Sequence, residues 1–185
     1  MAKKLKGKEW YTLIAPRMFD GKNLGETPVG DPATLIGRKV EVPLINLIND
    51  PRKYYMKFQF RIKELDEKIA RTEFAGLECL RDYISRMVRH GVTRIDMIQD
   101  LTTKDGVKLR VKTITLTNRR VKKSIESGIR RFVEEMVKKE VESSGLDGFL
   151  EKIINDTIKN QILDEGSRIY PLRVFEFRKV ERVYS

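Results

Sequence analysis

The sequence holds one cysteine, Cys79, and one histidine, His90. No intramolecular disulfide can form, which removes the main mark of a secreted, disulfide-stapled domain. A single Cys and a single His do not supply the ligands of a zinc site, and no other metal site is expected. No apolar run approaches the roughly 18 residues of a membrane span. The first eight residues carry Lys3, Lys4, Lys6 and Lys8 with no apolar h-region behind them, so no secretory signal is expected and the cytoplasm is the expected location. Neither a G-x-x-x-x-G-K loop nor a G-x-G-x-x-G string occurs. Asp20-Gly21-Lys22-Asn23-Leu24-Gly25 has the wrong spacing for either. Clustered carboxylates and a His pair, which a metal-dependent or general-base nuclease would need, are also missing. Catalytic residues, cofactors and a small-molecule substrate are therefore not expected.

Acid is scarce relative to base. Lys and Arg number 38 against 27 Asp and Glu in 185 residues, a formal net charge of +11. An excess of this size points to a polyanionic partner, nucleic acid first and an anionic membrane surface second. The apolar share, 40%, is enough for a real core, so the chain is not a disordered basic tail. Its length suits one domain with extensions.

Along the chain, residues 1–8 form a basic arm, either a frayed terminus or a segment that orders against phosphates. Residues 9–185 read as a single α+β domain. Residues 10–14 lean to strand. Residues 20–37 carry Gly21, Gly25, Pro28, Gly30, Pro32 and Gly37 with few large apolar residues, which predicts a long loop that a partner orders. Lys39 to Leu44 and Lys57 to Ile62 alternate as half-buried strands, and residues 65–68 turn the second into a hairpin. Residues 78–90 have helical spacing, with Gly91 as the C-terminal cap. That places Cys79 on a helix as a small core residue and His90 at a helix end as a surface or capping residue. Asp105-Gly106 joins strands at 94–101 and 107–116. In the second strand, apolar parity flips from Val107, Leu109 and Val111 to Ile114 and Leu116, which predicts a bulge or burial on both faces. Two apolar stripes, Val121 to Val141 and Phe149 to Ile162, predict two helices, and residues 172–183 a final strand. The architecture expected is an antiparallel sheet or small barrel with helices flanking one side.

The basic clusters carry the functional signal. Asn118-Arg119-Arg120-Val121-Lys122-Lys123 contains no acid and lies where a strand ends and a helix begins. Helix N-termini present free N–H groups and partial positive charge, so phosphate is favoured twice there. Arg130 and Arg131 extend the cluster two turns on. Lys108, Arg110 and Lys112 share one strand face, as RNA contacts or as an ordinary solvated face. Glu134, Glu135, Glu140 and Glu142 mix with lysines further along the helix, so that end is not expected to lie on phosphate. Trp10 and Tyr11 either stack on unpaired bases or anchor the first strand in the core.

Several strings together resemble the small-subunit ribosomal protein family of archaea and eukaryotes known as S-three-A-e, or eukaryotic-type S-one. They are Lys8-Glu9-Trp10-Tyr11 with Ala15-Pro16, Gly25-Glu26-Thr27-Pro28 with Asp31-Pro32, Gly37-Arg38-Lys39-Val40-Glu41, Thr102-Thr103-Lys104-Asp105-Gly106 with Lys108-Leu109-Arg110-Val111, and Ile169-Tyr170-Pro171-Leu172-Arg173. Their order and spacing span about residues 8–183, and the compact length resembles the archaeal branch. The family usually shows Asp-Leu-x-Gly-Asp where this chain has Asn46-Leu47-Ile48-Asn49-Asp50; Asn49 can take the left-handed turn in place of Gly. The resemblance implies a ribosome-bound, non-enzymatic protein of the small-subunit platform, near the messenger exit. Its partners would be small-subunit ribosomal RNA and neighbouring platform proteins, with roles in translation and subunit assembly. The rival is a free-standing RNA-binding module that regulates translation.

Overall fold

A computed structural model describes residues 7–184. The fold divides the chain into two compact units, 1–77 and 78–185. Lys3, Lys4 and Lys6 of the expected arm lie outside the described residues; Lys8 is exposed.

The first unit is built from strands β1 (Glu9–Ile14), β2 (Asn23–Val29), β3 (Lys39–Pro43), β4 (Met56–Asp66) and most of β5 (Ile69–Cys79), with one short helix, α1 (Leu44–Ile48). β1 pairs antiparallel with β2 and parallel with β5; β4 pairs with both β3 and β5. The sheet is thus mixed and open, where a purely antiparallel sheet or a barrel was expected. Residues 20–37 are not one long loop. β2 occupies their middle, and Pro32–Leu35 is a 3-10 turn whose Asp31 carboxylate accepts from Ala33 N–H at 3.1 Å. The glycines and prolines misled because β2 is an edge strand. Such a strand tolerates Pro28, and Gly25 takes φ +115° where the register slips against Leu13 and Ile14. Val29 and Leu35 bury with Tyr11, Leu13, Ile62 and Ala70. Alternation along β4 buries Met56, Phe58, Phe60 and Ile62, and Phe19 sets its edge on Phe58 and Phe60 at 5.2 and 5.8 Å. α1 ends at Asn49, whose φ of +54° and N–H bond to Ile45 O complete the left-handed cap expected there.

The second unit contains α2 (Arg81–Met87), β6 (Arg94–Thr102), β7 (Lys108–Thr117), α3 (Lys123–Ser143), α4 (Leu146–Ile154), α5 (Thr157–Gly166) and β8 (Leu172–Arg182). β6, β7 and β8 form an antiparallel ladder. The β6–β7 register runs unbroken, so β7 has no bulge. Its parity change is burial on both faces, since Thr113 to Thr117 are all buried. The irregularities lie in β8, where Arg178 is the extra residue opposite the Lys112–Thr113 step and Arg173 the extra residue opposite Leu116–Thr117. One face, with Ile95, Met97, Leu109 and Val111, packs against α3; Gln99 Nε2 on that face donates to Glu134 O at 3.1 Å. α4 joins it through Phe149, edge-on to Phe177 at 5.8 Å. The second predicted helix is two helices. Asp156 takes φ +56° after Asn155 and breaks the helix, yet Phe149, Ile153, Ile158 and Ile162 still bury. α2 starts later than expected, so Cys79 is a buried residue at the end of β5, not a helical one. His90 lies exposed beyond the end of α2.

Candidate nucleic-acid interface

The segment 118–122 leaves β7 and enters α3, and hydrogen bonds at both of its ends hold it in shape. Asn118 N–H donates to Pro171 O at 3.2 Å. Thr117 Oγ1 accepts from Thr93 N–H at 3.0 Å and donates to Arg119 O at 2.6 Å. Val121 N–H donates to Thr93 Oγ1 at 3.1 Å. The backbone is therefore fixed while the side chains of Arg119, Arg120 and Lys122 stand exposed. Thr93 and Thr117 had no signature in the sequence; a threonine is recognisable as a clamp only once the strand ends that carry it are neighbours.

The charges around this segment are unbalanced. α3 has 21 residues and no side-chain N-cap; Glu126 N–H, bonded to Lys122 O, is its first closed turn. The N–H groups of Lys123, Ser124 and Ile125 thus have no intrahelical acceptor. Cations near a helix N-terminus are disfavoured by roughly 0.3–1 kcal/mol each at low salt, and here Arg119, Arg120, Lys122 and Lys123 gather around one. One acid answers them: Glu126 takes Lys123 at 3.0 Å and Arg130 at 3.4 Å, and its carboxyl is held below the ordinary range, chiefly by the Lys123 hydrogen bond. The remaining cations are unfavourable in the isolated protein and favourable against an anion with several negative oxygens.

The other predicted residues divide. Arg131 is exposed on α3. Arg130 is engaged within the fold: its Nη1 donates to Asp96 O at 2.7 Å, tying α3 to the edge strand β6, while its side chain stays partly exposed. Lys108, Arg110 and Lys112 do share a face, but two are already engaged across the sheet. Arg110 grips Asp100 with two bonds of 2.7 and 2.8 Å, and that bonding lowers the Asp100 pKa. Lys112 meets Glu181 at 2.9 Å. The acids that neutralise them were invisible as partners in one dimension. Trp10 and Tyr11 take opposite roles along β1: Tyr11 is 4% exposed and in the core, Trp10 is 59% exposed.

No group of three or more His, Cys, Asp or Glu among the described residues is arranged to hold a metal ion. Nor is any helix among them long and apolar enough to cross a membrane. What stands out is an α+β scaffold that presents a cationic turn held by hydrogen bonds at both ends. The Ribosomal S3Ae family model matches residues 1–185, and the chain belongs to this family of non-enzymatic ribosomal proteins. Among similar proteins is the small ribosomal subunit protein eS1 of Methanopyrus kandleri, 38% identical over 96% of this chain and 86% of its own length. Its namesakes in Desulfurococcus amylolyticus and Methanobrevibacter smithii are 38% and 33% identical, over 96% and 94% of this chain.

Proposed function

We propose that the protein is a structural constituent of the small ribosomal subunit, ribosome-bound in the cytoplasm, where it binds small-subunit ribosomal RNA at the platform near the messenger exit and supports subunit assembly. The observation that carries the RNA reading is the clamped turn at 118–122, with Arg119, Arg120 and Lys122 exposed at the N-terminus of α3. Arginine at a rigid turn contacts phosphate bidentately with little further ordering to lose. Lys123, Arg131, Lys108 and Lys8 widen the contact; the platform location and the neighbouring platform proteins are what the family resemblance of the sequence implies.

The test is binding of the purified chain to small-subunit ribosomal RNA over a salt series. Log K should fall linearly with log salt, and Arg119→Ala with Arg120→Ala should weaken binding about equally for all RNA sequences while flattening the slope. A salt-independent affinity contradicts the reading. Sedimentation separates it from a free-standing regulatory module: a subunit constituent stays with small subunits through a high-salt gradient.

A further inference from the structure

The face of the β6–β8 ladder opposite α3 and α4 carries a second cationic feature. Arg94, Lys112 and Lys179 stand on adjacent strands on that face; Lys112 and Lys179 are register partners. The bulge in β8 adds Arg178, and Arg81 comes from α2. With Glu78 and Ser85 these side chains line a cleft of about 440 Å³, a size in the range of small-ligand pockets. Cys79 and Ile84 also line it, but charged side chains make up most of the lining.

Three carboxylates hold the cations in place without cancelling them. Glu181 receives Lys112 at 2.9 Å and Lys179 at 3.0 Å; Glu78 receives Lys179 at 3.7 Å; Asp96 receives Arg94 at 2.7 Å and lies 4.0 Å from Arg178. Four cations thus meet three acids, and Arg81, a fifth, stands exposed in the cleft lining. Burial alone would raise the Glu181 pKa, yet hydrogen bonds from Lys112 and Lys179 bring it below the ordinary value. The Lys179 ammonium is stabilised in turn, chiefly by Glu181. The carboxylates orient the lysines, and positive charge remains in excess around an open volume.

Arg94 places one side of the cleft at the end of the ladder from which the 118–122 turn departs. Arg94 in the cleft follows Thr93, whose hydroxyl clamps Val121 in the 118–122 turn. Leu116, the register partner of Arg94, lies two residues before Asn118. We infer that the cleft lined by Arg81, Arg94, Lys112, Arg178 and Lys179 is a second phosphodiester-binding site, seating the backbone of the same RNA strand that crosses the α3 N-terminus. The inference rests on the RNA reading above and adds to it a second contact surface, near the end of the ladder where the turn begins. Phosphate oxygens suit it because Arg94 and Arg178 supply planar donors and Lys112 and Lys179 supply point charges.

The test uses the full chain and purified small-subunit ribosomal RNA, with filter binding over a salt series. The cleft variant is Arg81→Gln with Arg178→Gln, which leaves the Lys112–Glu181–Lys179 bonds intact. The turn variant is Arg119→Gln with Arg120→Gln. A counterion-release slope falls by about 0.7–0.9 for each phosphate that is no longer neutralised. The cleft variant should therefore bind less tightly, and its slope should fall by roughly 1.5 if both arginines sit on phosphate. A cleft variant with unchanged affinity and slope, beside a weakened turn variant, overturns the cleft and leaves the RNA reading standing. A weakened cleft variant beside an unaffected turn variant supports the cleft and refutes the turn. Unaltered RNA binding with loss of binding to a poly-glutamate peptide shows an acidic protein segment as the occupant and overturns the inference. Far-UV circular dichroism and melting temperature matched to wild type exclude misfolding as the cause of any loss.

Discussion

Cys79 shows how far one residue's chemistry is set by its place. Its thiol is buried at the end of β5, with Leu80 O at 3.8 Å. Burial, with Glu176 nearby, pushes its pKa up to about 12. A thiol held protonated is neither a nucleophile nor a ready redox sensor. Iodoacetamide at neutral pH should therefore leave Cys79 unmodified in the folded protein and label it fully in denaturant. Rapid labelling of the native protein would show the thiol to be accessible and ionised. Arg130 makes the same point for a cation. It belongs to a basic cluster by sequence, but its bond to Asp96 O makes it a tie between α3 and β6.

At the scale of elements, the junction between α3 and α4 depends on a turn far away in sequence. The β6–β7 connection closes with Gly106 N–H on Thr103 O at 2.9 Å, and Gly106 takes φ +78°, which glycine alone adopts without strain. That geometry points Asp105 at α4. Its Oδ2 accepts from Leu146 N–H at 2.9 Å, capping the helix from outside, and Lys104 N–H bonds Ser144 O at 3.1 Å. A Cβ on Gly145 would sit 2.2 Å from Asp105 Oδ2, so a larger residue there would push the capping carboxylate aside. Asp105→Ala should lower stability by about 1 kcal/mol, as loss of a helix cap does. Phe149→Ala, on the same helix and fully buried, should cost about 3–5 kcal/mol. Urea denaturation of both variants checks the order; an Asp105→Ala loss as large as that of Phe149→Ala would mean the turn does more than cap α4.

For the whole molecule, the net charge of +11 opposes compactness, and the carboxylates within the basic surface offset it. Asp50, Asp100, Glu126 and Glu181 all have lowered pKa values, each through hydrogen bonds from Lys or Arg. A depressed folded-state pKa contributes stability that is present above the unfolded-state value and lost as pH falls through the folded one. The melting temperature should therefore hold from neutrality down to about pH 5 and drop below roughly pH 4, where the unfolded carboxyls take up protons first. Added salt should lessen the drop, since most of these pairs lie near solvent. A melting temperature that rises on acidification would contradict this account.

Much was determined by the sequence alone. Period-two alternation located β3, β4 and β7, the Asp105-Gly106 hairpin located β6 beside it, and the 3.6-residue stripe located α3, because burial of one face imposes its period locally. The single Cys and His removed the metal and catalytic readings, and the uninterrupted run at 118–123 marked the cationic turn. Asn49 showed its left-handed conformation in advance, since that preference is a property of the residue itself. Other features waited for the tertiary structure. β2 needed its partner β1 before its glycines and prolines made sense as an edge strand. The break at Asp156 leaves the apolar stripe intact and so leaves no gap in the pattern. Whether Arg110, Lys112 and Arg130 face outward depended on Asp100, Glu181 and the Asp96 carbonyl, which only strand register brings near. The cleft joins Arg81, Arg94 and Arg178 from three separate segments. Electrostatic partnership acts across a few ångströms of space, and sequence distance carries no record of it.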